Sequence, residues 1–240
     1  VQFPKGLDPT VSKTLEDFLT QCQSTLGADL AAAALFGSAA EGRLRSRSDV
    51  NLVVVLKTWP QEKLQSIREA YVFAKAAIDL NALFVLDSEL PSVAVAFAVK
   101  FDDIAHRHWP LLGADIFSDL APDRPAMLAR LRQVCLNLRL RLREAWLEGG
   151  DLGRELVDAA GPLRSAAATL ARLQGKDIES GRQALQGFCE TKADPALKAL
   201  PQSLSQLRET GTCADLLGAF NAAVKLTLLI ENDLPMAGRV

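Results

Sequence analysis

An α/β domain followed by an all-helical bundle is the fold class this sequence predicts, and three observations carry the prediction. Helical periodicity alternates with short apolar runs in the first half and is nearly continuous in the second, while Pro122, Asp123 and Pro125 interrupt both patterns between them. The boundary falls near residue 122, giving domains of 1–121 and 122–240. A chain of 240 residues is long enough for one large or two modest domains, each with its own core. With 49% apolar and 23% charged residues, the composition excludes the disordered, collagen-like and coiled-coil classes.

Asp8 followed by Pro9 reads as a helix N-cap with proline at the first helical position. Val11, Leu15, Phe18, Leu19, Cys22 and Leu26 then recur at helical spacing until Gly27, which predicts a helix over 9–26. Leu30 to Phe36 is a continuous apolar run closed by Gly37, and Val50 to Leu56 is rich in β-branched residues, so both read as buried strands. Pro60 opens a second helical pattern through Leu64, Ile67, Tyr71 and Ala74, and Leu80 to Leu86 reads as a third strand bounded by Asp87. After a short helical turn around Ser88 to Ser92, a further strand is expected within Val93 to Ile104.

In the second half, Leu136 to Arg143 alternates as a strand would. The longer stripe of Leu128, Leu131, Val134, Cys135, Leu138, Leu142 and Trp146 decides for one helix over 127–147. Its arginines, Arg130, Arg132, Arg139, Arg141 and Arg143, read as a solvated face or as a surface able to meet phosphates. Further helices are expected to start at Pro162, near Asp177, at Asp194 with Pro195, and at Thr212.

Charge and cysteine usage narrow the partners. Lys and Arg number 27 against 29 Asp and Glu, so the formal net charge is -2, and nothing global favours nucleic acid or an anionic membrane. The longest apolar runs fall short of the roughly 18 residues a membrane helix needs, and no basic-then-apolar signal opens the chain. A cytoplasmic protein with no membrane partner is expected, and a homodimer is compatible with the sequence. Cys22, Cys135, Cys189 and Cys213 form no C-x-x-C pair and read as reduced core thiols. His106 and His108, expected in a loop, are too few for a histidine-based zinc site, and a serine hydrolase would need the G-x-S-x-G elbow that this chain lacks.

The chemistry-bearing segment is Leu35 to Leu56, LFGSAAEGRLRSRSDVNLVVVL. Gly37 and Gly42 have the spacing of a phosphate loop, but Arg43 and Leu44 follow where that loop needs Lys and then Ser or Thr. A different pattern uses the whole segment: a strand, Gly37-Ser38, a short helix or loop, and Ser48-Asp49-Val50-Asn51 entering an apolar strand. Eleven residues separate Ser38 from Asp49. Gly37 lets backbone approach a phosphate closely, Ser38 adds a hydroxyl and an N–H, and a helix opening there would present further N–H groups to an anion. Residues two apart on a strand point the same way, so Asp49 and Asn51 share a face.

This segment resembles the signature of the nucleotidyltransferase superfamily, the DNA polymerase β-like fold, in the small bacterial branch that includes the aminoglycoside nucleotidyltransferases. The resemblance implies an N-terminal nucleotidyltransferase-type domain with a mixed sheet, and Mg²⁺-dependent transfer of a nucleoside monophosphate from a nucleoside triphosphate such as ATP to a hydroxyl of a small-molecule or protein acceptor. It assigns Gly37, Ser38 and Arg43 to the nucleotide, and Asp49 and Asn51 to the metal. It also implies a third carboxylate on a neighbouring strand, for which Asp79 is the first candidate and Asp102 the second.

At two positions the chain departs from the pattern. Asn51 offers a neutral amide oxygen where the family has a second Asp, and Glu41 stands where the family often has Arg; Arg43, Arg45 and Arg47 are the cations able to compensate. These departures motivate the alternative of a catalytically weakened nucleotide- or protein-binding module.

Overall fold

A computed structural model of the protein describes residues 1–44, 49–120 and 122–235. It shows the expected class: a mixed four-stranded sheet with helices, followed by a helical bundle. Helix α1 (Pro9–Leu26) starts at Asp8, whose carboxylate accepts from the Thr10 N–H at 2.7 Å, and it buries Leu15, Phe18, Leu19, Cys22 and Leu26. Strands β1 (Leu30–Phe36) and β2 (Val50–Leu56) pair antiparallel. Beyond β2, α2 (Gln61–Ser66) and α3 (Arg68–Ile78) lead to β3 (Leu80–Leu86), which pairs parallel to β2. The single helical pattern read from Pro60 onward is thus two helices meeting at Ile67.

The expected strand within Val93 to Ile104 is helical instead. A 3-10 turn at Asp87–Glu89 leads into α4 (Leu90–Ala96) and α5 (Ala98–His106), and the fourth strand is β4 (His108–Gly113), paired antiparallel to β1. Leu90, Ala94, Phe101 and Ile104 make one buried face at helical spacing. Pro110 disguised β4 in the sequence; it is tolerated because β4 is an edge strand with an unpaired side.

In the sheet order β3-β2-β1-β4, the inner strands β1 and β2 are covered on both faces. Ala33, Leu35, Leu52, Val54 and Leu56 pack with α1 and α3. Ala32, Ala34, Phe36, Val53 and Val55 pack with Phe101, Ile104 and Phe117. Burial on both faces is why these strands read as continuous apolar runs rather than as alternation.

The chain divides into two compact units, Val1–Val95 with Phe101–Ala121, and Ala96–Lys100 with Pro122–Val240. The second contains α6 (Arg124–Glu148), α7 (Leu152–Leu173), α8 (Gly181–Glu190), α9 (Pro195–Thr210) and α10 (Leu216–Asn232). Each begins with a side-chain cap: Asp123, Asp151, Ser180, Asp194 and Asp215 accept an N–H from the first turn.

Those caps correct three expected starts. Pro162 lies inside α7, where it and its neighbour Gly161 are exposed, so a carbonyl lacking its proline N–H partner meets water. The start expected near Asp177 falls at Gly181, and the one at Thr212 falls at Leu216, because the Thr212 N–H donates instead to the Thr210 hydroxyl at 3.3 Å. The arginines of α6 are also more than a solvated face. Arg139 is buried and donates to Glu231 at 2.8 Å, and Arg141 donates to Glu155 and Asp158. Among the described residues no helix is long and apolar enough to cross a membrane.

Two outcomes test this architecture. Burial pushes the thiols of Cys22, Cys135 and Cys189 up to about 12, whereas Cys213 is only partly buried. An aromatic disulfide reagent at pH 8 should therefore titrate Cys213 alone in the native protein and all four in denaturant. Arg139→Ala leaves Glu231 without its buried partner and should lower unfolding free energy by about 3 kcal/mol. Arg141→Ala, at an exposed pair, should cost about 0.5 kcal/mol in the same denaturant titrations.

Candidate functional site

Because β1 runs antiparallel to β2 and β4, the end of β1 lies beside the starts of both, at one edge of the sheet. Phe36 is in register with Asn51 on one side and His108 on the other. The chain leaves β1 at Gly37 and turns at once. Gly37 has φ of +68°, a left-handed conformation that favours glycine. A Cβ built on it would stand 4.0 Å from Nδ2 of Asn51, so the Gly37-Ser38 turn and the Asn51 amide are direct neighbours.

Residues 37–42 form a turn, the loop rather than the helix of the two alternatives expected after Gly37-Ser38. The Gly42 N–H donates to the Ala39 carbonyl at 3.1 Å and the Arg43 N–H to the Ser38 carbonyl at 3.0 Å. Ala39 and Ala40 are buried beneath it, Ser38 is half-buried and Arg43 is exposed. Gly42, with φ of +64°, passes directly over the backbone of Lys5, so the N-terminal segment braces the turn from outside. Arg45, Arg47 and Ser48 lie outside the described residues.

Asp49 and Asn51 flank the start of β2, both half-buried, and the Asn51 Nδ2 donates to the Asp49 Oδ2 at 3.3 Å. Asp79 is the left-handed cap between α3 and β3, exposed, with φ of 50°. Its carbonyl accepts from the Val50 N–H at 3.2 Å, which ties the starts of β2 and β3 together. Its own conformation is not extended, so the alternation of β3 does not govern its side chain. The β3 residue in register with Asn51 is Asn81, which sequence reasoning passed over. An exposed amide in an otherwise apolar strand was the available signal.

Asp102, the second candidate for the third carboxylate, and its neighbour Asp103 are buried on α5. The Asp102 carboxylate lies 3.5 Å from Nδ1 of His106. Asp103 accepts from Arg107, whose Nη1 also donates to Glu41 in the turn at 2.8 Å. Burial opposes the Arg107 charge, but the Asp103 and Glu41 carboxylates outweigh it and hold the guanidinium above its ordinary value. A cation thus reaches the turn from the residue that follows α5, although position 41 itself is acidic. Nothing in the sequence around Arg107 signals this, because 66 residues separate the partners.

The histidines are structural. His106 ends α5, and His108 opens β4 with Nδ1 2.8 Å from the Ile104 carbonyl and Nε2 2.9 Å from Asp115. Asp115 also accepts from the Phe117 N–H and the Ser118 hydroxyl. Although burial acts to raise its pKa, these donors and His108 hold it below the usual carboxylate range.

A metal centre for phosphoryl transfer asks for two or three convergent carboxylates. Asn51 and Asn81 are in register here, Asp49 stands just before β2, and the amide of Asn51 is already hydrogen-bonded to Asp49. Among the described residues no three His, Cys, Asp or Glu side chains come together as a metal-binding group. These residues do not fit the two-metal centre that the fold class implies.

The Gly37-Ser38 turn at the end of β1 thus faces the Asp49-x-Asn51 pair on its antiparallel neighbour, the arrangement that the sequence resemblance leads one to expect. Comparison with solved structures shows the same fold in the spectinomycin adenyltransferase AAD(9) from Enterococcus faecialis, crystallised with ATP and spectinomycin. The TM-score is 0.64 at 11% identity, and the match covers 92% of this chain and 98% of that one. No family model and no curated protein sequence matches the chain.

The brace on the turn is testable. A methyl group at residue 42 would overlap the Lys5 carbonyl oxygen and also force an L-residue into a left-handed conformation. Gly42→Ala should therefore destabilise the protein by more than the about 1–2 kcal/mol of backbone strain alone expected for Gly37→Ala, as read from paired denaturant melts.

Proposed function

We propose that this chain binds a nucleoside triphosphate at the edge of the sheet formed by the Gly37-Ser38 turn and the starts of β2 and β3, as a nucleotidyltransferase-type protein. The observation that carries the reading is the proximity of Gly37 to the Asn51 amide, which sets a glycine turn against the Asp49–Asn51 pair. Glycine admits close approach of a phosphate, and the Ser38 hydroxyl and N–H are suited to donate to it. Arg43, directly after the turn, is an exposed cation.

Two uses of the bound nucleotide follow. Likeness to an adenyltransferase crystallised with ATP and spectinomycin supports transfer of a nucleoside monophosphate to an acceptor hydroxyl, with release of pyrophosphate. Asp79 or Asp102 is then the carboxylate to act as base. The hydrogen bond between Asn51 and Asp49 supports the second use, retention of the nucleotide by a binding module.

Calorimetry of the purified protein against ATP, GTP, CTP and UTP, with and without Mg²⁺, tests the shared claim. At least one triphosphate should bind with a dissociation constant in the micromolar range. Ser38→Ala should weaken that binding about tenfold through loss of one hydrogen bond to a charged group. Failure of all four nucleotides to bind in either buffer would remove the reading.

A further inference from the structure

The parallel register of β2 and β3 places Asn51 beside Asn81. Partners in register on adjacent strands stand about 4.8 Å apart and project to the same face. On β2 that face also carries Val53 and Val55, and on β3 it carries Leu83 and Val85, which pack with Phe101 and Ile104 of α5. At the open end of this face the apolar rows stop, and the two amides take their place, Asn51 half-buried and Asn81 exposed. Asp49 lies two residues before Asn51 and accepts the Asn51 Nδ2 donor.

The resemblance to nucleotidyltransferases implies three carboxylates here, two on one strand and one on its neighbour. We infer that the chain keeps the nucleotide end of the fold but not the metal centre that transfer needs, because Asn51 and Asn81 together occupy the second and third carboxylate positions. This rests on the nucleotide-binding reading above and selects its second use, retention without transfer. An amide is nearly the same shape as a carboxylate but carries no charge, so the set offers a divalent cation one negative charge in place of three. The remaining charge on Asp49 faces an N–H donor, which satisfies it internally.

Neither alternative carboxylate restores the set. Asp79 caps α3 in a left-handed conformation just before the β3 ladder begins. Asp102 is 2% exposed on α5, with its carboxylate 3.5 Å from the His106 ring. Glu41 and Asp103 are both engaged by Arg107.

The test uses the metal alone. Electron paramagnetic resonance titration with Mn²⁺ should show no binding to the full chain below about 1 mM. Asn51→Asp with Asn81→Asp should bind Mn²⁺ at least tenfold more tightly, and adding Asp49→Asn should abolish the gain. Asn81→Asp alone, at an exposed position, should give a smaller gain and covers the case in which the half-buried Asn51 position does not tolerate a second charge. Binding of Mn²⁺ by the unaltered chain as tightly as by the double variant would overturn the inference. So would double and single variants that fold but gain nothing. Nucleotide binding is read separately by calorimetry, so loss of the nucleotide reading and loss of the metal inference are distinguishable.

Discussion

Strand β2 is hydrogen-bonded along both edges, antiparallel to β1 and parallel to β3, and the rest of the first unit is arranged around that double pairing. A strand paired on both sides and covered on both faces must be apolar throughout, as Leu52 to Leu56 are. A shift of register by one residue would turn Val53 and Val55 away from Phe101 and Ile104. The same register brings Phe36 to Asn51 and Asn51 to Asn81. The apolar core thereby determines which polar side chains meet at the sheet's edge, although none of them contributes to that core.

Electrostatics at this edge is handled locally. Glu41 and Asp103 surround one guanidinium, and Asp49 takes an amide donor from two residues away. Half-buried acids are costly unless paired or hydrogen-bonded. In a protein that gathers metal ions, convergent carboxylates are left for the cation to neutralise. Here Glu41, Asp103 and Asp49 each have a hydrogen-bond partner within the chain.

Much of the fold was legible because its elements are locally consistent. Asp8-Pro9 with a helical stripe, two β-branched or apolar runs closed by glycine or aspartate, and Asp194-Pro195 each signal one conformation without help from distant residues. The failures have a common cause. Val93 to Ile104 is short and apolar, and such a segment reads equally as strand or helix until the face it covers is known. Pro110 reads as a breaker unless the strand is at an edge, and Pro162 reads as a start unless the carbonyl it orphans is solvated. Edge and exposure are properties of the assembled molecule.

The sequence by itself determined the alternation of helical and strand segments in the first unit up to β3, though not the break at Ile67, together with the helical character of the second half and the spacing from Gly37-Ser38 to Asp49-x-Asn51. These depend on neighbours within a few residues, where backbone geometry and side-chain period leave few choices. Only the tertiary structure decided that Asn81 stands beside Asn51, that Arg107 reaches Glu41 across 66 residues, and that Asp102 is buried on a helix. Register between strands and packing of a helix on a sheet join residues that share no local pattern, so the charge of the site emerges only when the chain is folded.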